Sequence, residues 1–143
     1  MKITAADREF SWCVRERSNW TCERCGKKHE PPTKALHCSH FFGRGNWAVR
    51  FNPLNAFSHC MGCHLHFESN PHEFQGWVTD RLGAEGWAKL QAASEDVMLG
   101  KVAHRKSRQI AAFYRKELDY MRLVRSRGNQ GRIDFADYFE ENP

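Results

Sequence analysis

The sequence predicts an α+β fold that is mainly α-helical, with a short sheet closed by a structural zinc ion. Apolar residues recur at helical spacing through much of the 143-residue chain. One aromatic-rich stretch, ALHCSHFF at residues 35–42, has instead the short, glycine-bounded pattern of a strand. Two C-x-x-C pairs, CERC at residues 22–25 and CMGC at residues 60–63, are typical of a tetrahedral zinc site.

The N-terminal half combines one helix with turns and extended segments. Thr4 is a suitable N-cap, and the apolar positions that follow predict a first helix ending near Ser18. Gly26 and the prolines after it place the first cysteine pair on a tight turn. The chain is then predicted to form a strand, a returning strand and a short helix at residues 35–42, 46–51 and 61–68.

The C-terminal half is predicted to be helical. Gly83 and Gly86 separate two helices, and the apolar stripe after them predicts one long helix over residues 101–126. The separated helices are placed at residues 71–82 and 84–97. We divide the chain into a zinc-binding core at 1–83, a helical extension with the long basic helix at 84–127, and an acidic aromatic tail at 128–143.

Charge is distributed in blocks along the chain, which has a net charge of +5. Residues 1–50 and 101–132 are basic, and residues 51–100 and 133–143 are acidic. Clustered Arg and Lys are compatible with a polyanion such as nucleic acid, although basic blocks also form solvated helix faces. No apolar run approaches the roughly 20 residues that span a bilayer, and the N-terminus lacks the apolar core of a signal peptide. We expect a cytoplasmic protein without a membrane partner.

The cysteines are more consistent with metal binding than with disulfides, because a reducing cytosol disfavours structural disulfides. Two C-x-x-C turns present four thiolates, which is a complete shell for Zn²⁺. The predicted zinc ligands are Cys22, Cys25, Cys60 and Cys63. Cys13 and Cys38 lie outside the two pairs and are expected to be small core residues.

The segment between the cysteine pairs contains a second motif. A histidine closes the predicted strand, an asparagine follows fifteen positions later, and a histidine directly follows the second cysteine pair; these are His40, Asn55 and His64. This layout resembles the HNH, or ββα-metal, endonucleases. HCSHF, RFNPLN and CMGCH are similar, in order, to phage recombination nucleases of the NinG/Rap type, and the four-cysteine site to endonuclease VII-type Holliday-junction resolvases. The resemblance covers about residues 4–83.

The resemblance implies a zinc-stapled ββα-metal (HNH) core with an N-terminal helix and a helical C-terminal extension. It also implies a metal-dependent DNA endonuclease acting on branched recombination intermediates such as Holliday junctions, D-loops and flaps. His40 would take the proton from water, because a neutral imidazole is a suitable base near pH 7. His64 would hold a catalytic Mg²⁺ or Mn²⁺, and Asn55 would brace the loop that orients the base, while the zinc is structural.

One position departs from the family pattern. The residue before the base is usually Asp or His and binds the catalytic metal, whereas here it is Ser39, a weak neutral ligand. Ser39 stays a candidate ligand, and His37, on the same face of the strand, has the reach to replace it. Glu68, one helical turn after His64, is a further candidate. The remaining histidines are expected to be structural or solvated; they are His29, His59, His66, His72 and His104.

Arginines are the predicted DNA contacts. Two of them flank the expected approach of the scissile phosphate, and four form a stripe on the long basic helix. They are Arg44 and Arg50, and Arg105, Arg108, Arg115 and Arg122. The apolar face of that helix is expected to pack on the core or on a second subunit, and the resolvase resemblance implies a homodimer that cuts opposing strands. The acidic tail would cover basic surface in the absence of DNA or dock a recombination protein.

Other functions stay open. An HNH nickase of linear duplex DNA has the same motif, and a non-catalytic zinc module that binds DNA would keep the cysteines and the basic helix. That module would have no use for the three motif residues in register. An adaptor that acts through the tail would explain only eleven residues. If the protein is phage-encoded, its location is the host cytosol. The preferred DNA structure has no readable sequence code, because shape recognition is spread over surfaces.

Overall fold

A computed structural model describes residues 1–143 as a mainly helical α+β fold with a two-stranded sheet. The elements are α1 (Ala5–Arg17), β1 (Leu36–His40), β2 (Ala56–Cys60), α2 (Met61–Ser69), α3 (Pro71–Ser94), α4 (Val97–Arg105), α5 (Ser107–Ser126) and α6 (Tyr138–Glu141). A single 3₁₀ turn at Pro53–Asn55 precedes β2. None of the helices combines the length and the apolar character that crossing a membrane requires.

The first helix begins where the sequence predicts. The hydroxyl of Thr4 accepts a hydrogen bond from the backbone N–H of Asp7, and the Asp7 carboxylate accepts one from the backbone N–H of Thr4. This reciprocal capping box satisfies two of the N–H groups that a helix start leaves without partners. Phe10 and Val14 are buried on the inner face, and the helix ends at Arg17.

The two strands form an antiparallel hairpin whose faces have different neighbours. Ser39 lies opposite Phe57, and His40 lies opposite Ala56. Because side chains alternate along a strand, Ser39 and His40 point to opposite faces of the sheet. The His40 ring lies 6.0 Å from the ring of Phe10 on α1, and the Ser39 hydroxyl contacts α2 on the other face. Helix α1 therefore lies on one face of the sheet and α2 on the other.

The prediction of a returning strand at residues 46–51 is wrong, because that segment forms turns and the strand comes later. The side-chain oxygen of Asn46 accepts a hydrogen bond from the backbone N–H of Ala48 at 3.2 Å and stabilises the first turn. Asn52 caps the 3₁₀ turn that follows, so the strand begins only at Ala56. The apolar alternation of this segment reflects a buried loop.

The C-terminal helices differ in extent from the prediction. Gly83 adopts a φ of 73° and separates two helical parts of α3, as the sequence predicts. The single helix predicted over 101–126 is wrong, because the chain breaks at Lys106 into α4 and α5. Gly100 holds α4 close to the inter-strand loop, where a Cβ atom would lie 3.3 Å from the backbone nitrogen of Ala48. Since α5 instead packs along α1, the two helices follow different surfaces.

One apolar cluster joins α1, α5 and the C-terminal tail. The buried residues of α5 are Ile110, Tyr114, Leu118 and Met121. Ile133 and Tyr138 of the tail belong to the same cluster. The hydroxyl of Tyr114 donates to the carbonyl oxygen of Phe51 at 2.6 Å and accepts from the N–H of Tyr138 at 3.2 Å. The apolar stripe is therefore used inside the chain and is not a dimer surface, and the tail is packed into the fold.

A buried ion pair fixes the inter-strand loop to α1. Arg50 is 1% exposed, and its Nε and Nη2 donate to the Asp7 carboxylate at 2.9 and 2.6 Å. Its remaining donors reach the carbonyl oxygens of Lys2 and Arg44, and its guanidinium lies 4.0 Å from the ring centre of Trp47. The prediction that Arg50 contacts DNA is wrong, because its guanidinium is buried and fully engaged.

Replacing Asp7 by Asn should lower the free energy of unfolding by about 3–5 kcal/mol, because the Arg50 cation stays buried without its counter-charge. Burial alone would raise the pKa of Asp7, but hydrogen bonds from Arg50 and Thr4 hold it below its usual value. The pair therefore stabilises the fold fully above the usual pKa of 3.8, and this contribution is lost as the pH falls through the lower folded value. Urea unfolding at several pH values measures both effects.

The matched control is Lys89→Met, which breaks the exposed pair between Lys89 and Glu140. An exposed ion pair contributes less than about 1 kcal/mol, so this variant should unfold almost as the wild type does. Equal small losses in both variants would show that the Asp7–Arg50 pair does not anchor the loop.

Candidate metal centre and histidine cavity

The four predicted zinc ligands meet at one point, which confirms that they can form one site. Their sulfur atoms all lie within 4.8 Å of one another. The Sγ atoms of Cys25 and Cys60 are 3.7 Å apart. A tetrahedral site with Zn–S bonds of about 2.3 Å has sulfur–sulfur edges of about 3.8 Å, whereas a disulfide bond measures about 2.05 Å. The cluster therefore fits Zn²⁺ held by four thiolates.

Two backbone turns build this cluster. The knuckle at residues 22–25 ends at Gly26, whose φ of 80° is costly for other residues. The N–H of Gly26 donates to the carbonyl oxygen of Cys22 at 3.0 Å and closes the turn. The second pair joins the last residue of β2 to the first turn of α2. Arg24 donates to the Sγ of Cys63 at 3.4 Å, which places a positive charge beside the thiolates.

Glu23, inside the knuckle, connects the cluster with the rest of the fold. Its side chain is 2% exposed, and its Oε2 accepts from the backbone N–H of Ser58 at 2.7 Å. Its Oε1 accepts from Arg81 at 2.7 Å and from Arg132 at 3.2 Å. One carboxylate thus joins the knuckle to β2, α3 and the tail. Sequence reasoning missed this role, since its hydrogen-bond partners lie at least 35 positions away along the chain.

A cavity of about 430 Å³ lies between α1, the end of β1 and α2. Its lining includes three histidines, two carboxylates and two arginines: His37, His40, His64, Asp7, Glu68, Arg15 and Arg44. The structure therefore brings together the predicted base, the predicted metal ligand and one predicted phosphate contact. We call this space the histidine cavity.

The backbone fixes the tautomer of His40. The Nε2 atom lies 3.1 Å from the carbonyl oxygen of Arg50. Because a carbonyl oxygen only accepts hydrogen bonds, Nε2 must carry the proton, and the lone pair of the neutral ring lies on Nδ1. Burial lowers the pKa of His40 to about 4, so the ring is neutral at pH 7. One ring nitrogen is thus anchored and the other is available to accept a proton, and the lowered pKa makes this imidazole a weaker base than a solvated histidine.

Asn55 braces the inter-strand loop from inside. It is fully buried, and its Nδ2 donates to the carbonyl oxygens of Phe42 and Val49 at 2.9 and 3.1 Å. Its Oδ1 accepts from the N–H of Phe42 at 2.8 Å. One amide thus holds the first and last parts of the loop together. Arg50, whose carbonyl oxygen anchors His40, directly follows Val49.

His64 is held on both ring nitrogens. Its Nδ1 lies 2.7 Å from the hydroxyl of Ser39, and its Nε2 lies 3.2 Å from a carboxylate oxygen of Glu68. Since a carboxylate only accepts, Nε2 carries the proton in the neutral ring, and the hydroxyl donates to Nδ1. The ring stacks on that of His37, with centroids 4.9 Å apart. Ser39 is 2% exposed, so its hydroxyl is committed to His64.

One further feature of the histidine cavity points to a ligand. The Nε2 atom of His37 is buried without a hydrogen-bond partner, although buried polar atoms are rarely left so. Burial, and then the charges of His64 and Arg15, lowers the pKa of His37.

Sequence reasoning missed Arg15, although the spacing of Asp7, Ser11 and Arg15 by four residues indicates one polar helix face.

The predicted DNA-binding arginines of the C-terminal helices are exposed. Arg105 ends α4, and three more follow at intervals of seven residues on α5: Arg108, Arg115 and Arg122. Arg115 lies 3.6 Å from Glu9, and the guanidinium of Arg122 lies 5.0 Å from the ring centre of Trp12. We call these four residues the arginine strip. Glu9 and Trp12 lie on a different side of α1 from the residues that line the histidine cavity.

Comparisons with family models, with curated proteins and with solved structures found no match to this chain. The resemblance to HNH nucleases therefore stays a prediction from sequence motifs. The functional assignment rests on the cysteine cluster, the histidine cavity and the arginine strip.

Freshly purified protein should contain one tightly bound zinc ion per chain, and Cys60→Ser should lower both the zinc content and the melting temperature. A structural zinc site contributes folding free energy, so the loss of one thiolate should weaken the fold itself. Elemental analysis and thermal unfolding measure the two quantities. Cys38→Ser is the control, because Cys38 lies outside the cluster and should leave the zinc content unchanged. Folded protein without zinc would contradict the assignment.

Proposed function

We propose that the chain is a zinc-stabilised, divalent-metal-dependent DNA endonuclease of the HNH, or ββα-metal, type. The observation that carries the proposal is the pairing of His40 and His64 in one cavity. One is a neutral imidazole with an available lone pair, and the other is an imidazole paired with a carboxylate. The sequence resemblance supports the same roles for the same residues.

His40 serves as the general base. Hydrolysis of a phosphodiester requires a water molecule that loses its proton as it attacks phosphorus. The Nδ1 atom of His40 accepts this proton, while Nε2 keeps its hydrogen bond to the backbone of Arg50. Protonation of the buried ring is unfavourable at neutral pH, so the proton passes readily to solvent after the step. Asn55 contributes by holding the loop that carries the anchoring carbonyl group.

His64, Glu68 and His37 would hold the catalytic cation. Two imidazoles and one carboxylate suit Mn²⁺ better than Mg²⁺, because imidazole is an ordinary ligand of transition metals whereas Mg²⁺ prefers oxygen ligands. The Nε2 atom of His37 has no other partner. When bound, the cation neutralises charge on the phosphate and on the departing oxygen. Ser39 would orient His64 through Nδ1. With a cation on Nε2, that nitrogen would carry no proton, so Nδ1 would carry it and donate to the Ser39 hydroxyl.

Two arginines of the histidine cavity serve the phosphate. Arg44 is partly exposed on the inter-strand loop, and Arg15 projects from α1. Arg15 is positioned by donating to the carbonyl oxygen of Leu36 at 2.7 Å and to the hydroxyl of Ser11 at 3.0 Å. Guanidinium groups form charge-assisted hydrogen bonds with phosphate oxygens and position DNA without reading its sequence.

The substrate we favour is branched DNA, as processed in phage recombination by NinG/Rap-type nucleases. Basic side chains lie on two sides of α1. The arginines of the histidine cavity lie on one side, and the arginine strip lies on another. This arrangement suits contact with more than one duplex arm, because each arm is bound through its phosphates. The homodimer and the recombination-protein partner stay predictions, and the dimer would need a surface other than the buried stripe of α5.

The alternative is a nickase of linear duplex DNA, which needs the same histidine cavity and only one duplex arm. A non-catalytic zinc module is less well supported, because it gives no reason for an anchored neutral His40 beside the paired His64. A cleavage assay that compares a mobile four-way junction, a flap and a linear duplex of equal length separates the two nucleases. Preference for the junction or the flap supports the recombination enzyme, and equal cleavage of all three supports the nickase.

His40→Ala should fold, keep zinc and bind DNA, while cleavage falls about 10²- to 10⁴-fold, as is typical of a lost general base. The assay uses zinc-loaded protein with Mg²⁺ or Mn²⁺ and measures single-turnover rates. His72→Ala is the matched control, because His72 is an exposed histidine on α3 and is absent from the histidine cavity. Cleavage by His40→Ala at the rate of the control would exclude His40 as the base.

His37→Ala tests the proposed cation site. If His37 is a ligand, this variant should need a higher Mn²⁺ concentration for half-maximal cleavage, and its rate should recover at saturating metal. If His37 has only a structural role, His37→Ala should lower the melting temperature and leave the Mn²⁺ concentration for half-maximal cleavage unchanged. The metal titration, compared with that of His72→Ala, therefore distinguishes the two roles.

A further inference from the structure

A second cavity of about 550 Å³ lies between the inter-strand loop and the junction of α3 with α4. Its volume is in the range of small-ligand sites. Two aromatic rings, one lysine and three polar side chains line it: Trp47, His104, Lys101, Asn46, Ser94 and Asp96. None of these residues takes part in the proposed hydrolysis. We call this space the loop cavity.

The rings of the loop cavity provide flat surfaces. Trp47 and His104 lie with ring centroids 4.6 Å apart and planes 69° from parallel. The Trp47 ring is held by the guanidinium of Arg50 and by an edge contact with Phe51, whereas His104 is exposed. Nucleobases stack on such rings regardless of their identity, because every base has a π-face.

Helix α4 brings a positive charge to the loop cavity. Gly100, Lys101 and His104 lie on the side of α4 that meets the loop, together with Val97, which is 71% exposed. The absence of a side chain at Gly100 lets the helix approach Ala48 closely, which puts its neighbours at the mouth of the cavity. Lys101 is exposed and forms no ion pair, so its ammonium group is available to an anion.

The loop cavity and the histidine cavity are neighbours along one loop. Arg44 lines the histidine cavity, and the next residues, 45–48, line the loop cavity. Consecutive residues of one loop therefore connect the phosphate position proposed beside Arg44 with the loop cavity. A base that enters such a cavity must leave its stack, which costs least where the nucleotide is already unpaired.

We propose that the loop cavity binds one unpaired nucleotide of the strand that is cut, with its base against His104 and Trp47 and its phosphate at Lys101. This inference rests on the proposed endonuclease function and specifies its substrate. The enzyme selects DNA with an unpaired nucleotide beside the scissile bond, as at a flap or a branch point, over fully paired duplex.

The test measures binding without cleavage. Zinc-loaded His40→Ala protein, with no other divalent cation added, is titrated into fluorescein-labelled oligothymidylate of about 10 nucleotides and into a duplex of equal length. Adding His104→Ala should raise the Kd for the single strand about 5- to 100-fold, as expected for one lost stacking contact. Adding Lys101→Ala should reduce the slope of log affinity against log salt for the single strand by about 0.7. Duplex binding should change less than about twofold in either case.

Two exposed residues outside the loop cavity provide the controls, His72→Ala and Lys116→Ala in the same background. If His104→Ala and Lys101→Ala bind the single strand as these controls do, the subsite does not exist. Equal weakening of single-strand and duplex binding, or no binding of the oligothymidylate at all, would also reject it. Cleavage assays test the proposed endonuclease activity separately. A protein that cuts no DNA could still show the selective loss of single-strand binding in the loop-cavity variants.

Discussion

The buried ion pair of Arg50 and Asp7 is the interaction on which the geometry of the candidate site depends. The Arg50 side chain ties the inter-strand loop to α1, and its backbone carbonyl group fixes the tautomer of His40. Asn55 closes the same loop from the other side. Arg50 is thus buried, and its backbone positions the neutral imidazole of His40. A buried guanidinium is stable only beside a counter-charge, and the carboxylate that provides it, Asp7, lies on α1. Helix α1 is therefore part of the site.

The cysteine cluster has a different role, since it sets the positions of the elements that carry the histidines. It joins the knuckle after α1 to the start of α2, one residue before His64. Glu23 extends the connection to α3 and the tail through Arg81 and Arg132. Because the strands are only five residues long, hydrogen bonds between them cannot by themselves hold the site. A metal bound to the four thiolates would supply the missing stability.

The sequence was informative where chemistry is local and uninformative where partners are distant. The cysteine spacing predicted the four-cysteine cluster that could hold zinc, and the capping box predicted the start of α1. Residues 46–51 were interpreted as a strand because a buried loop can show the same alternation of apolar side chains. Arg50 was interpreted as a surface cation because its partner, Asp7, lies 43 positions earlier. The break at Lys106 arises because α4 packs against the inter-strand loop and α5 packs along α1. No local sequence pattern indicates these two packing surfaces.

The central claim is that one cavity holds both the base and a divalent cation beside a DNA phosphate. Anomalous diffraction from crystals of the His40→Ala protein with DNA and Mn²⁺ tests it most directly. The account predicts a manganese peak bonded to His64, close to Glu68 and His37, with a DNA phosphate in the histidine cavity near Arg44. The account would be contradicted if manganese were bound only elsewhere on the protein, or if the bound DNA placed no phosphate in the histidine cavity.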